Sequence, residues 1–377
     1  MTIEMETQLH TIQEAIEDIK NGKVVIVVDD EDRENEGDFV AAAELITPEI
    51  INFMSTHGRG LICTPLPEKR CDELGLDLMV RNTTDPKETA FTVSIDLIGD
   101  GVTTGISAKD RAKTILALMN ENTKAADFAR PGHIFPLRAK EGGVLKRPGH
   151  TEATIDLAKL AGLQSGGVIV EIMNEDGSMA RLNDLMEIAK KFDLKIISIK
   201  DLIAYRLKND SLIERISELN FDTIYGNFDL IVFKEKLNNQ IHYALSKGKW
   251  NTDDTVLVRV MASNHYNDFF TSLIKGEQHN FKQITDIINT ENRGVIIFLN
   301  NYDDSESMEQ KVNHFKQFVL GNTPNPSPVM DTKEYGIGAQ IIKELGIENI
   351  KLIVRSNNTK YNLAGFGLEI KETIDLI

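Results

Sequence analysis

Apolar positions along the chain change period often enough to outline two α/β units. Ile12, Ala15, Ile16 and Ile19 recur at helical spacing, and Asn21-Gly22 supplies a stop. Lys23 to Val28 (KVVIVV) is a short apolar, β-branched run and predicts a buried strand. Beyond it the pattern predicts a helix over Thr47 to Thr56 and a strand over Gly60 to Thr64. Ala90 to Leu97 alternates with period two, the mark of a strand with one exposed face. A helix over Ala108 to Asn120 follows, with Ser107 or Thr104 as N-cap. Thr151 to Ala161 predicts a helix, Gly167 to Met173 a strand, Leu182 to Phe192 a helix and Lys195 to Ile199 a strand. From Leu202 the texture becomes more polar, with a helix expected over Leu202 to Leu219. Strands are expected at Phe228 to Phe233, Thr255 to Val260, Arg293 to Leu299 and Ile350 to Val354, and a helix at Gly336 to Gly346. The boundary between the units falls at about residues 205–215, and no short-period repeat or low-complexity tract is visible.

Length supports the same division, since 377 residues suggest two or three domains. The composition is that of an ordinary globular chain, which excludes extensive disorder, collagen and coiled coil. A formal charge of −16 argues against nucleic acid as a partner, which needs a basic footprint. Only two cysteines occur, Cys63 and Cys71, so a disulfide framework and an all-cysteine zinc site are both excluded. No apolar run approaches the roughly 20 residues of a membrane span. Met1 to His10 has neither the basic region nor the apolar core of a signal peptide. A reducing cytoplasm is the expected compartment.

The densest chemistry is the acidic segment from Asp29 to Asp38 (DDEDRENEGD), directly after the first strand. Such a run can be a solvated turn. Three features favour a site: Arg33 sits inside the run, Gly37 permits an unusual turn, and the segment leaves a strand end, where α/β proteins place ligands. Clustered carboxylates can hold Mg²⁺, and their mutual repulsion can raise pKa values into a range suited to proton transfer.

Arg130-Pro131-Gly132-His133 recurs as Arg147-Pro148-Gly149-His150, with a helix expected from Thr151. Pro-Gly gives a turn that presents the next side chain. A helix N-terminus beside Arg147 suits a phosphate, and His150 can complete a metal site with a carboxylate of the first loop. Gly101 to Arg111 places glycine and hydroxyl residues before a helix, as phosphate sites and ordinary capped helices both do. Glu171 stands at a strand end. Cys63 lies in a glycine-rich stretch, where core packing and a place in the site are both open readings.

With these motifs in order, residues 8–206 resemble 3,4-dihydroxy-2-butanone 4-phosphate synthase, an enzyme of riboflavin biosynthesis. The carrying segments are Asp29 to Asp38, Ala90 to Asp96, Gly101 to Ala112, Arg130 to Ala139 and Arg147 to Gly162. The resemblance implies an α+β sandwich, active sites formed in a homodimer, and conversion of ribulose 5-phosphate to 3,4-dihydroxy-2-butanone 4-phosphate and formate with Mg²⁺ or Mn²⁺. It implies Glu34 and His150 as metal ligands. Arg33, Glu34, Asp38, Arg147, Thr151 and Glu171 are implied to bind substrate, and His133 and Glu171 to be catalytic. Glu36 and Asp38 are further acid–base candidates. Cys63 matches a cysteine near the substrate, and Thr104 and Ser107 are candidate phosphate contacts.

The remainder is similar to GTP cyclohydrolase II, at Thr255 to Val260, Tyr335 to Gln340 and Gly365 to Ile370. That family binds zinc through three cysteines, and this chain has none after Cys71. Asn264, Lys275 and Glu277 align with the cysteine positions, Asn300 to Ser307 with the guanine-nucleotide segment, and Asp331-Thr332-Lys333 with an Asp-x-Arg element. No zinc is therefore expected. The division is a synthase domain over 1–207 and a second α/β domain over 208–377, resembling the cyclohydrolase without its zinc cysteines. Residual GTP cyclohydrolase activity, and a binding or dimerisation module, are the alternatives for the second.

Overall fold

The computed structural model describes residues 9–30, 33–80, 84, 89–237, 239–263, 278–300, 332–354 and 366–376, with backbone alone at 262–263, 278–280 and 332–335. Contacts divide the chain into two units, Met1–Arg206 and Leu207–Ile377. Each holds one seven-stranded mixed sheet, so the architecture is mixed α/β. No described helix is long and apolar enough to cross a membrane.

The first unit runs α1 (Ile12–Lys20), β1 (Val25–Val28), β2 (Gly37–Ala42), α2 (Pro48–His57), β3 (Cys63–Pro67), α3 (Glu68–Glu73) and β4 (Ile95–Leu97). It continues with α4 (Ala108–Met119), β5 (Phe128–Ala139), α5 (His150–Leu160), β6 (Gly167–Glu171), α6 (Leu182–Phe192), β7 (Ile196–Ser198) and α7 (Ile199–Asn209). Strand order is β4-β5-β3-β6-β2-β1-β7. α1 starts at a capping box: the Thr11 hydroxyl accepts from Glu14 N while the Glu14 carboxylate accepts from Thr11 N.

Every residue of β1 and β2 is buried, because side chains alternate between two cores. Ile26, Val28, Phe39 and Ala41 join a core that includes Met54 of α2, Ile115 of α4 and Leu185 of α6. Val25, Val27, Val40 and Ala42 join a core that includes Ile16 of α1 and Leu157 of α5. The sheet is thus the middle of three layers. A buried ion pair supports the segment leading into α5. Arg206 donates to Asp156 Oδ2 at 2.8 Å and to Gly142 O at 2.7 Å, while Val144 N donates to the same carboxylate oxygen at 2.8 Å.

In the second unit the strands are β8 (Ile213–Thr223), β9 (Gly226–Glu235), β10 (Ile241–Lys247), β11 (Thr255–Ser263), β12 (Gly294–Asn300), β13 (Asn349–Val354) and β14 (Glu369–Asp375). They lie in the order β14-β13-β11-β12-β10-β9-β8, antiparallel from β8 to β12 and parallel from β12 to β14. Helices span Gln278–Glu291 and Thr332–Glu344; Ile284 and Ile288 of the first pack on Phe228, Leu257 and Ile296. Asn264, Lys275, Glu277, Asp331 and the segment 301–307 lie outside the described residues.

Four expectations change. The strand expected over Gly60 to Thr64 begins at Cys63, because 58–62 form a turn around Glu171. Of Ala90 to Leu97 only Ile95–Leu97 is a strand; Phe91 and Thr92 make isolated bridges to Leu137 and Leu78. The α5 helix begins at His150, one residue early. The helix expected over Leu202 to Leu219 stops at Asn209, and Ile213–Thr223 is a sheet-edge strand. Leu212, Ile216 and Leu219 mimic helical spacing, but Ile216 and Leu219 are exposed. Pairing of β8 with β9, with a register shift between Arg215 and Ser217, overrides the local pattern.

Replacing Arg206 with Ala leaves the Asp156 carboxylate without this charge partner. The unfolding free energy should fall by about 3 kcal/mol, read from urea denaturation. An unchanged midpoint would contradict the support assigned to this pair.

Candidate active site

The acidic segment is the connection of a β-hairpin. β1 and β2 are antiparallel, with Val28 opposite Gly37. Asp29 folds this connection: its carboxylate accepts from Arg33 Nη1 at 2.7 Å, Glu34 N at 3.2 Å and Glu36 N at 2.9 Å. Arg33 also donates to Glu34 Oε2 at 2.7 Å, so this guanidinium offsets charge within the loop. Glu31 and Asp32 lie outside the described residues.

Sheet register assembles the rest. Asp38 on β2 faces Glu171 on β6, and Cys63 on β3 pairs with Ile169 of β6. Glu171 Oε2 accepts from Leu61 N at 2.9 Å. A Cβ on Gly60 would collide with the Glu171 carboxylate, which explains the glycine in the turn before β3. From the other side, α5 delivers His150 and Thr151 in its first turn. Arg147 is held by Glu152 Oε2 at 2.7 Å and Thr89 Oγ1 at 3.3 Å.

These groups line one cavity of about 180 Å³: Arg33, Glu34, Glu36, Asp38, Cys63, Thr89, Phe91, Arg147, His150, Thr151 and Glu171 among them. His150 Nε2 lies 3.1 Å from Val27 O and donates to it, which leaves Nδ1 as the free lone pair. Nδ1 faces Glu34 Oε2 at 4.0 Å and Asp38 Oδ1 at 3.9 Å. Asp29, Glu34 and His150 each offer a ligand atom within 4.8 Å of the others.

Electrostatics follow from burial. Desolvation lowers His150 to about 4, with Asp29 opposing and Arg33 and Arg147 assisting, so the imidazole is neutral at physiological pH. Burial, then Glu171, Glu36, Glu34 and Asp29, raise Asp38 well above the ordinary carboxylate range. Burial and Glu34 raise Glu36, and Arg181 opposes them. Burial, then Glu171 and Asp38, push the Cys63 thiol upward, so it stays protonated rather than acting as a thiolate. Asp38 Oδ1 is buried with no hydrogen-bond partner and faces Nδ1 of His150. Hard oxygens, one neutral imidazole and an orphaned carboxylate oxygen fit a divalent cation.

The structure brings together nine of the candidates. His133, Thr104 and Ser107 do not line this cavity. His133 is exposed on β5, where Nδ1 lies 2.6 Å from Asp96 Oδ2 and its backbone N–H donates to Asp96 Oδ1 at 2.9 Å. Ser107 caps α4 by accepting from Asp110 N at 3.0 Å, and Thr104 is exposed. Sequence reasoning assigned no role to Asp29 as a potential ligand or to Asp96 as the partner of His133. The first was hidden by its many acidic neighbours, the second by a separation of 37 positions.

A three-layer α/β unit with a carboxylate-rich, imidazole-bearing cavity, joined to a second α/β unit, defines a two-domain enzyme. The chain belongs to the 3,4-dihydroxy-2-butanone 4-phosphate synthase family, whose model matches residues 13–205; the GTP cyclohydrolase II model matches 214–375. Relatives named riboflavin biosynthesis protein RibBA are 50% identical over 376 residues in Cytophaga hutchinsonii and 48% over 373 in Bacillus cereus. These alignments cover 98% and 97% of this chain and 93% of each relative. RibBX, a two-domain 3,4-dihydroxy-2-butanone 4-phosphate synthase from A. baumannii, superimposes with a TM-score of 0.76 at 38% identity, covering 97% of this chain and 99% of that one. A synthase in complex with two magnesium ions aligns over 54% of this chain and 99% of its own, at 42% identity and TM-score 0.52.

Asp38→Asn should stabilise the chelated protein at pH 8. The raised Asp38 carboxyl holds its proton more tightly folded than unfolded, so wild-type stability falls as pH rises through that range. The advantage should vanish below the ordinary carboxylate range, where both states are protonated. Thermal melts of both proteins across pH check this, and a pH-independent difference would refute it.

Proposed function

We propose that the first unit converts D-ribulose 5-phosphate to 3,4-dihydroxy-2-butanone 4-phosphate and formate, with Mg²⁺ or Mn²⁺ held by Glu34 and His150 and by Asp29 as an added ligand. The observation that carries this reading is the cluster of Asp29, Glu34 and His150 in one cavity with Asp38, Glu171 and Arg147. A relative holding two magnesium ions supports the choice of metal. When bound, the ion supplies Lewis-acid charge at a substrate oxygen.

The residues divide the remaining work. Arg147, with the open N–H groups of the first turn of α5 at Thr151, receives the phosphate. Arg33 steadies the loop and adds positive charge at the cavity wall. Glu36, Asp38 and Glu171 surround the sugar, and the upward shifts of Glu36 and Asp38, caused by burial and neighbouring carboxylates, favour their holding and returning protons. The protonated Cys63 thiol lines the wall beside Glu171. His133, gripped by Asp96, is outside this cavity and reaches a substrate across a homodimer. Together the products contain all the atoms of the substrate, so the conversion needs no redox partner.

The second unit, on this reading, does not open GTP by the zinc route. Three thiolate ligands are required there and no cysteine follows Cys71. It serves assembly, stability or binding. The match of 214–375 to the GTP cyclohydrolase II model, and the RibBA name of the relatives, favour a second reading in which GTP is still consumed. Two buried free thiols suit a reducing cytoplasm.

Full-length protein with Mg²⁺ should release formate from ribulose 5-phosphate and leave GTP intact in a parallel tube. Glu34→Gln and His150→Ala should each lower formate release by at least about a thousandfold while melting cooperatively. Wild-type turnover in either variant would overturn the ligand assignment, and formate from GTP would overturn the reading of the second unit.

A further inference from the structure

We propose that Arg181 is a positioning residue for the hairpin loop that carries Asp29 and Glu34, an inference that rests on the metal site proposed above. Arg181 is the N-cap residue of α6, far from the acidic segment in sequence. Its Nη1 donates to Glu34 O at 3.1 Å and also to Asn35 O. These two carbonyls flank the tightest point of the loop, where Asn35 adopts φ +55°. A guanidinium on both carbonyls fixes the direction in which the Glu34 side chain leaves the backbone.

The anchor is itself held. Arg181 N donates to Asp184 Oδ2 at 2.9 Å, and Asn174 Nδ2 lies 3.4 Å from the same oxygen. One turn further along α6, Leu185 packs beneath Gly37 so closely that a Cβ there would collide with it. Helix α6 therefore grips the hairpin twice, at the foot of β2 through Leu185 and at the loop through Arg181. The contacts of Arg181 are to backbone oxygens, so it leaves the carboxylate oxygens to a cation. Arg33, in contrast, donates to the Asp29 and Glu34 carboxylates themselves. Arg181 also adds a positive charge that opposes protonation of Glu36.

Without this tie, ordering the loop must be met from the binding energy of the ion. Metal affinity should suffer more than the chemistry at saturation. The test titrates Mn²⁺ into chelated full-length wild type, Arg181→Ala and Arg181→Lys, read by calorimetry, beside formate release measured against Mg²⁺ concentration. Arg181→Ala should raise the Mn²⁺ dissociation constant about tenfold or more. Its formate release should approach the wild-type rate as Mg²⁺ is raised, and Arg181→Lys should lie between the two. Arg181 is exposed, so all three proteins should melt alike when chelated. Equal dissociation constants, or a loss of rate that Mg²⁺ does not restore, would overturn the positioning role. Wild type that takes up no Mn²⁺ would instead overturn the metal site itself, and this inference with it.

Discussion

The first unit depends on the pairing of β2 with its two antiparallel neighbours. With Val28 opposite Gly37, the β1–β2 connection must close within a few residues, and Asp29 closes it by accepting from Arg33, Glu34 and Glu36. With Asp38 opposite Glu171, two carboxylates are set side by side at the sheet end. A slip of one residue would send Asp38 into the opposite core and bring an apolar side chain to the site. The two apolar cores that flank β1 and β2 therefore secure the site as well as the fold.

Burial that stabilises the sheet makes the site costly. Asp38 is buried among Glu36, Glu34 and Glu171, and the nearest imidazole is driven neutral by desolvation. Four of the lining groups are acidic, and the cations beside them, Arg33 and Arg147, are already engaged with carboxylates. Such a cavity favours protonated carboxyls or an added positive charge. This arrangement suits both proton transfer and a divalent cation, and it is the usual conflict between local stability and function.

Much of this was legible from residues near one another in sequence. The strand Val25–Val28, the helix Leu182–Phe192 and the Ser107 cap were all expected from local pattern. The acidic run and the second Arg-Pro-Gly-His unit also stand out as chemistry, and both reach the cavity. The first Arg-Pro-Gly-His unit does not, although the tetrapeptide is the same. His133 stands on the exposed stretch of β5, whereas His150 begins a buried helix. Identical local sequence acquires different roles because the surrounding elements differ.

The amino-acid sequence by itself determined the family, the two-unit order, the buried strand that leads into the acidic loop, and the lack of thiolates beyond Cys71. These depend on residue type and short-range period, which each segment carries alone. Tertiary structure decided that the acidic segment is a hairpin connection, that Asp29 joins Glu34 and His150, and that Arg181 reaches Glu34 and Asn35 across the chain. It also made Ile213–Thr223 a strand against its own helical spacing. Each of these outcomes is a pairing between distant positions, and its energy exists only once the sheet register brings both partners within a few ångströms.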